Sequence, residues 1–234
     1  MLDKVNIQEV QDKLYDKLKE SGWADKLKTF LVSNDMTKIL NTLLKEAQDN
    51  KRFTPQIKDV FNAFIACPYD NTRVVLMGQD PYPVIGQADG LAFSCSKGTI
   101  QKSLAYIQDS IKKTAVPGYI GEKDLTCWAD QGILLLNTAL TTTINKPSSH
   151  QMLWRSFTAQ VIDSLIWEKP GLIYVFMGKK AQDFADLVPD NNYKIMVSHP
   201  ASAAYGNLDE WDCEDVWNKI NKYLEQDGKQ RISW

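Results

Sequence analysis

Two patterns of hydrophobic residues alternate along the chain: residues that recur every three or four positions, and short continuous runs. Helices with one apolar face are predicted where apolar residues recur every three or four positions: 8–32, 36–49, 55–65, 102–113, 124–131, 156–169 and 212–228, with a further helix beginning at residue 179. Buried strands are predicted from four short apolar runs: RVVLM at 73–77, GILLLNT at 132–138, GLIYVFMG at 171–178 and YKIMVSHP at 193–200.

The alternation of strands and helices predicts the fold class. Strands that alternate with helices form parallel sheets whose two faces are covered. We therefore predict an α/β fold with a central four-stranded parallel sheet and helices on both faces. No repeat, low-complexity segment or linker rich in Pro, Gly or Ser divides the chain, so residues 1–234 are predicted to form a single domain.

Polar residues follow each predicted strand. They are Gln79 and Asp80 after the first strand, Asn137 at the end of the second, Gly178, Lys179 and Lys180 after the third, and Ser198, His199 and Pro200 after the fourth. In open parallel sheets, ligands bind at the carboxyl ends of the strands. An acid, an amide, a basic turn and an imidazole are thus predicted to meet at one edge of the sheet.

Each of these polar residues has a structural and a functional interpretation. Asp80 precedes Pro81, and an Asp-Pro pair can form a simple turn or hold a carboxylate rigidly at the sheet edge. His199 can be structural, although the small residues that follow it would let a partner approach closely. Asn137 can bond the backbone, or its paired donor and acceptor can recognise the edge of a nucleobase or another amide.

The aromatic and basic candidates are also ambiguous from the residues alone. Phe93 and Tyr82 fit the core as well as a ligand contact. Lys179 and Lys180 can be a solvated helix start, but a helix that begins directly after a strand and a glycine also suits phosphate. His150 lies in a polar loop, and its role is open.

Composition narrows the class of protein. The chain has 234 residues, is 44% hydrophobic and carries a formal net charge of −2, which argues against a generally basic nucleic-acid coat protein but allows a local basic face. The four cysteines show no metal-ligand or disulfide spacing, so reduced thiols in the cytoplasm are expected. No apolar run reaches the length of a membrane helix, no secretory signal is visible, and no motif for a nucleotide cofactor or a metal is present.

Five motifs resemble those of family 1 uracil-DNA glycosylases, in the same order and from about Trp23 to Trp234. GQDPYPVIGQADGLAFS at 78–94 resembles the family's water-activating segment, GQDPYH followed by QAHGLAFS. GILLLNTALTT at 132–142 resembles the LLLN motif, and VFMGKKAQ at 175–182 the W-G-x-x-A-Q segment. SHPASAAYG at 198–206 resembles the HPSPLS loop, and GKQRISW at 228–234 the K-x-I-x-W terminus.

The resemblance implies that the chain removes uracil from DNA by hydrolysing the N-glycosidic bond and leaves an abasic site for base excision repair. In a pocket for a flipped base, Phe93 would stack on uracil and Asn137 would read its N3 and O4 edge. Tyr82 would exclude the methyl group of thymine, and Gln79 would help to orient the base.

The resemblance also implies the chemical roles. Asp80 would position the attacking water, and a neutral His199 would donate a hydrogen bond to O2 of the leaving uracil. No metal or organic cofactor is expected. Two alternatives stay open: a non-catalytic DNA-binding or scaffold protein with the same fold, and a glycosylase for another damaged base.

Contacts to DNA follow from the same resemblance. Ser103, Gly178, Lys179, Ser198 and Pro200 would hold the DNA backbone. The expected partner is uracil-containing DNA, single- and double-stranded, with a DNA-mimicking protein inhibitor as a further candidate partner. The chain is expected to be a monomer with no membrane association.

Three positions depart from the family pattern. Pro83 replaces the histidine of GQDPYH, and the prolines of the loop before Ser103 are missing. The family's wedge leucine, which fills the gap left by the flipped base, falls on Ala203. Tyr205 is a candidate replacement, or extrusion relies on the backbone contacts. The hypothesis that follows is an unusually strong preference for single-stranded uracil DNA.

Overall fold

The computed structural model describes residues 6–206 and 208–234, without the side chains of residues 204 and 205. The helices are α1 Ile7–Lys19, α2 Trp23–Leu31, α3 Asn34–Gln48, α4 Asn62–Ala66, α5 Lys102–Thr114, α6 Thr126–Ala129, α7 Gln151–Glu168, α8 Lys179–Gln182, α9 Pro200–Tyr205 and α10 Val216–Gln226. The strands are β1 Phe53–Thr54, β2 Val74–Gly78, β3 Ile133–Asn137, β4 Thr142–Thr143, β5 Ile173–Met177 and β6 Tyr193–Val197.

The main sheet has four parallel strands in the order β3-β2-β5-β6. Every residue of β2, β3 and β5 is buried, as expected for parallel strands covered by helices. The predicted fold class is confirmed. The register pairs Gly78 with Asn137 at the carboxyl ends of β2 and β3, so the loops that follow these strands leave the sheet side by side.

Several predicted elements have different bounds. The stretch 8–32 is two helices, because Gly22 has a φ of +76° that ends the helical path between them. The helix predicted from residue 179 has only four residues before the chain turns. The last strand ends at Val197, and Pro200 begins a short helix instead, a position that favours proline because its missing N–H is not needed there.

One pairing was not predicted from the sequence. β1 and β4 form a two-stranded antiparallel ladder in which Phe53 pairs with Thr143 and Thr54 with Thr142. The N–H of Ile144 also donates to the carbonyl of Arg52 at 2.9 Å. The ladder therefore anchors the loop that follows β3 to the chain segment before β2.

A continuous buried core extends from Leu14 to Ile232. Four fully buried tryptophans contribute its largest side chains: Trp23, Trp128, Trp154 and Trp217. This continuity supports the single-domain prediction, which stays a prediction. Within the described residues, no helix combines the length and the apolarity that crossing a membrane would require.

Candidate active site at the strand ends

A cavity of about 280 Å³ opens at the carboxyl ends of the strands. Its wall contains Gln79, Asp80, Pro81, Tyr82, Pro83, Ala88, Leu91, Phe93, Ser94, Ser103, Asn137, Pro147, His199, Ala201 and Ser202. The side chains placed after three different strands by the sequence pattern therefore share one cavity, together with both aromatic candidates.

A larger cavity of about 980 Å³ lies between α1, α3 and the loops 50–57 and 85–97. Its wall is mainly apolar, and it contains none of the polar residues that follow the strands. Of the residues that the structure describes, Ala88 alone lines both cavities. Because catalysis needs converging polar groups rather than volume, the smaller cavity is the candidate site.

Two glycines at strand ends make room for the site. A Cβ atom at Gly78 would lie 2.8 Å from Oδ1 of Asn137 and 3.1 Å from the ring of Phe93. At Gly178, where φ is +87°, a Cβ atom would lie 2.7 Å from the Cβ atom of His199. The absence of a side chain at each strand end thus allows the functional side chains to pack directly against the sheet.

Asp80 is held by two donors. The side-chain amide of Gln79 donates to one carboxylate oxygen at 2.9 Å, and the backbone N–H of Ser148 donates to the other. The same Gln79 amide also donates to the hydroxyl of Ser148 at 3.0 Å. Gln79 therefore orients the carboxylate in this structure. Ser148 was missed by sequence reasoning because its contribution comes from the backbone.

The aromatic side chains form a rigid corner of the cavity. Phe93 has a φ of +66°, an uncommon conformation for a residue with a side chain. The Tyr82 hydroxyl donates to the carbonyl of Phe93 at 2.7 Å and lies 3.1 Å from the hydroxyl of Ser103. Burial raises the pKa of the Tyr82 phenol well above its usual range, so the hydroxyl stays protonated. Tyr82 is therefore fixed at both its ring and its hydroxyl.

Asn137 presents its amide to the cavity. The residue is 5% exposed, and among the residues that the structure describes its side chain has no hydrogen-bond partner. A buried amide offers two donors and one acceptor that need partners. The group is therefore free to bond a ligand that enters the cavity.

His199 has a defined tautomer. The backbone N–H of Ala201 donates to Nδ1 of His199 at 3.1 Å, so Nδ1 is an acceptor and the ring proton of the neutral imidazole is on Nε2. Burial lowers the pKa of His199 below its ordinary value, while the charge of Asp80 raises it to a smaller extent. The ring of His199 lies 5.7 Å from that of Phe93, measured between centroids. A neutral hydrogen-bond donor thus faces the stacking ring.

The residues predicted to contact DNA have different exposures. Ser103 lines the cavity, Gly178 packs against His199, and Ser198 and Pro200 are the chain neighbours of His199. Lys179 and Ser198 are exposed, whereas Gly178 and Pro200 are buried. Ser198 accepts a hydrogen bond from the indole of Trp211 at 2.9 Å. Ser103 is buried, with its hydroxyl turned to Tyr82. The exposed pair is the part of this set that can meet DNA without a change of conformation.

The wedge position has no exposed side chain in this structure. Ala203 is only 2% exposed, within a helix that packs against α5. Its methyl group faces the core, so it does not project toward DNA as a wedge must. The side chain of Tyr205, the candidate replacement, lies outside the described residues.

Cysteine and metal chemistry find no site in the described ranges. Cys67, Cys95 and Cys213 are buried free thiols, and Cys127 is an exposed one. In residues 6–206 and 208–234, no group of three His, Cys, Asp or Glu side chains could hold a metal ion.

Comparison with known proteins gives consistent matches. The family model described as the uracil DNA glycosylase superfamily matches residues 64–221. Uracil-DNA glycosylase of Acinetobacter baumannii (strain AYE) is 34% identical over 227 residues, covering 96% of this chain and 95% of that protein. The enzyme of Neisseria gonorrhoeae (strain NCCP11945) is 38% identical over 202 residues, covering 84% and 90%.

Solved structures show the same similarity. The crystal structure of mimivirus uracil-DNA glycosylase has a TM-score of 0.85 and 27% sequence identity, covering 99% of this chain and 90% of that one. A single-residue variant of the mimivirus protein in complex with UGI has a TM-score of 0.83 and 28% identity, covering 91% and 87%. The matched region of the family model contains every residue placed at the strand-end cavity.

Proposed function

The chain belongs to the uracil DNA glycosylase superfamily, and from this premise we propose that the strand-end cavity hydrolyses the bond between uracil and deoxyribose in DNA. The products are free uracil and an abasic site, which base excision repair then processes. The observation that carries the proposal is the meeting of Asp80, Asn137 and a neutral His199 beside the ring of Phe93.

Recognition begins with a base that has left the DNA stack, because an enzyme that acts on a base cannot reach its target atoms inside a duplex. Phe93 offers a fixed ring on which the base stacks, a contact generally worth about 1–3 kcal/mol. The free amide of Asn137 pairs with O4 and N3–H of uracil. Cytosine presents its donor and acceptor in the reverse order, so it does not match the same amide orientation.

Tyr82 closes the side of the cavity that C5 of uracil faces, and it accounts for the rejection of thymine. Tyr82→Ala is expected to admit thymine, because removal of the ring leaves space for the C5 methyl group. Release of thymine and uracil from otherwise identical oligonucleotides measures the change. Strict uracil selectivity in this variant would overturn the steric argument.

Tyr82→Phe is the matched control for this prediction. It removes the hydrogen bonds to Phe93 and Ser103 but keeps the ring in place. Selectivity for uracil should therefore persist in Tyr82→Phe. Thymine release by both variants would assign selectivity to the hydroxyl rather than to the ring.

The chemistry requires that charge be stabilised on both fragments. As the C1′–N1 bond breaks, its electron pair leaves with uracil, and Nε2–H of His199 donates a hydrogen bond to O2, where negative charge develops. The carboxylate of Asp80 stabilises the sugar cation and accepts the proton of the water whose oxygen bonds to C1′. A neutral imidazole suits this role because its Nε2 proton is present without a prior protonation step.

The rate of uracil release is expected to depend on whether the DNA is single-stranded or duplex. We expect faster uracil release from single-stranded than from duplex DNA, and by a wider margin than in an enzyme with an inserted leucine, because Ala203 is buried. Assays with chelator on single strands, U·G duplexes and U·A duplexes should give rates that fall in this order, since extrusion costs most from the most stable pair. Equal rates on the three substrates would refute this prediction.

The same assay tests the proposed function. Uracil release in the presence of chelator, with no release of thymine or cytosine, is the expected result. The two alternatives receive no support, because Asp80, Asn137 and His199 are all in place and Tyr82 restricts the space beside the base. A chain that binds DNA but releases no base would contradict the proposal.

The proposed function also implies binding partners, an oligomeric state and a cellular location. DNA contact through Lys179 and Ser198 is proposed to be independent of sequence and sensitive to salt. A mimivirus relative has been solved with UGI, and we propose that a DNA-mimicking inhibitor binds this chain at the same cavity mouth. We also propose that the protein is a monomer and that it is located in the cytoplasm. The location is proposed because the cysteines are free thiols.

A further inference from the structure

Asp80 is oriented by a loop that is joined to helix α3 by a contact between Glu46 and His150. We propose that Glu46 and His150 are positioning residues for the reaction, and that they hold residues 145–148, here called the clamp segment, against Asp80. This inference rests on the proposed role of Asp80 in water attack. Neither Glu46 nor His150 lines the cavity, so both would act through the clamp segment.

The clamp segment contacts the Asp80 loop at two places. The N–H of Asn145 donates to the carbonyl of Pro83 at 2.8 Å, and the N–H of Ser148 donates to the carboxylate of Asp80. Because Pro83 has neither a side-chain donor nor an N–H, this loop is held through its carbonyl and through Asp80. The clamp segment therefore supplies contacts that the side chain at position 83 cannot.

The clamp segment needs support because its backbone is uncommon. Asn145 has a φ of +59° and Ser148 a φ of +66°, and left-handed conformations of this kind persist only where surrounding contacts enforce them. His150 lies two residues after Ser148 and is 4% exposed. The contacts of its side chain hold the end of the loop.

Hydrogen bonds at both ring nitrogens fix the ring of His150. A carboxylate can only accept, so Nε2 of His150, 3.1 Å from the carboxylate of Glu46, carries a proton and donates it. Nδ1 lies 2.8 Å from the hydroxyl of Thr141, and this hydroxyl accepts a hydrogen bond from the indole of Trp154 at 2.7 Å. Glu46 thus joins helix α3 to the loop.

The geometry favours a positioning role over packing alone. Glu46 keeps 18% of its side chain exposed and is not a member of the hydrophobic core. His150 lies two positions along the backbone from Ser148, whose N–H donates a hydrogen bond to the carboxylate of Asp80. Loss of the Glu46 carboxylate should therefore disturb the direction of the Asp80 carboxylate more than the stability of the fold.

Glu46→Ala tests the proposal through kcat. We expect kcat to fall about tenfold with KM unchanged, a smaller loss than the roughly hundredfold that a 1 Å misplacement of a reacting group can cause. Asp35→Ala is the matched control, because it removes the carboxylate of an exposed pair with Lys38 on the same helix. It should leave kcat unchanged.

A double-mutant cycle separates positioning from general damage. In an Asp80→Asn background, Glu46→Ala should have almost no further effect, because the group that it positions is already absent. An unchanged kcat for Glu46→Ala, or the same fold loss in both backgrounds, would overturn the inference. If Asp80→Asn alone retained full turnover, the proposed function of Asp80 would fail instead, so the two failures are distinguishable.

Glu46→Gln and the ring signals of His150 give a second test that does not depend on turnover. The glutamine keeps an oxygen acceptor for Nε2–H, so its kcat should lie between those of wild type and Glu46→Ala. The chain has two histidines, which makes their ring N–H resonances assignable. The His150 signal should move upfield in Glu46→Ala while that of His199 stays fixed; an unmoved His150 signal would contradict the contact.

Discussion

Asp80→Asn is expected to lower the turnover of uracil-containing DNA by about a thousandfold while leaving DNA affinity nearly unchanged. The reason is chemical: an amide is a poor proton acceptor and carries no charge to stabilise the sugar cation, and a positioned general base alone accounts for about 10²- to 10⁴-fold. Asparagine still accepts a bond from the N–H of Ser148, so the loop should stay in place. Single-turnover release of uracil and a separate binding titration measure the two quantities.

Asp183→Asn is the charge-matched control for this variant. Asp183 is exposed and caps the short helix after β5, and its substitution changes the net charge by the same amount. It should leave single-turnover release close to that of wild type. Comparable losses in both variants would mean that net charge, rather than the position of the carboxylate, controls the rate.

His199→Ala is expected to lower the single-turnover rate by about 10²- to 10³-fold, the usual cost of removing one donor to a developing oxyanion. The substitution keeps the Cβ atom that packs against Gly178, so the strand ends should remain as they are. His199→Gln retains an N–H donor, and its rate should be intermediate. A full rate in His199→Ala would remove the imidazole from the mechanism.

The pH profile checks the protonation state on which this prediction depends. Because burial lowers the pKa of His199, the neutral ring persists as the pH falls through 6.5, the ordinary pKa of histidine. The wild-type rate should therefore show no loss centred at that pH, and protonation of His199 should reduce it only at lower pH. The Nδ1 proton acquired there would also displace the bond from Ala201. A half-maximal loss at the ordinary value would indicate that the ring is not desolvated.

The sheet and the convergence of its polar side chains were predictable because they depend on local patterns. Buried parallel strands are continuous apolar runs, and the rule that ligands bind at the carboxyl ends of strands needs no knowledge of loop structure. From these two facts alone, Asp80, Asn137 and His199 are expected at one edge of the sheet. Gly78 and Gly178 were visible too, since each closes a predicted strand.

Features that depend on distant backbone contacts were not predictable. Ser148 bonds Asp80 through its N–H, and a main-chain donor leaves no trace in the pattern of side chains. The burial of Ala203 comes from the packing of α9 on α5, which residue spacing does not determine. The break at Gly22 was detectable in principle, because glycine readily takes the positive φ that interrupts a helix.

The bond between Ser148 and Asp80 spans 68 positions of the chain, and this separation has a consequence for folding. Contacts between distant residues form only after much of the chain is ordered, so the carboxylate acquires its orientation late, after β3 and the loop beyond it have joined the sheet. The pairing of Phe93 with His199 spans a still longer stretch. During refolding, glycosylase activity should therefore return with the slowest structural phase, and its recovery reports completion of the native fold rather than formation of the secondary structure.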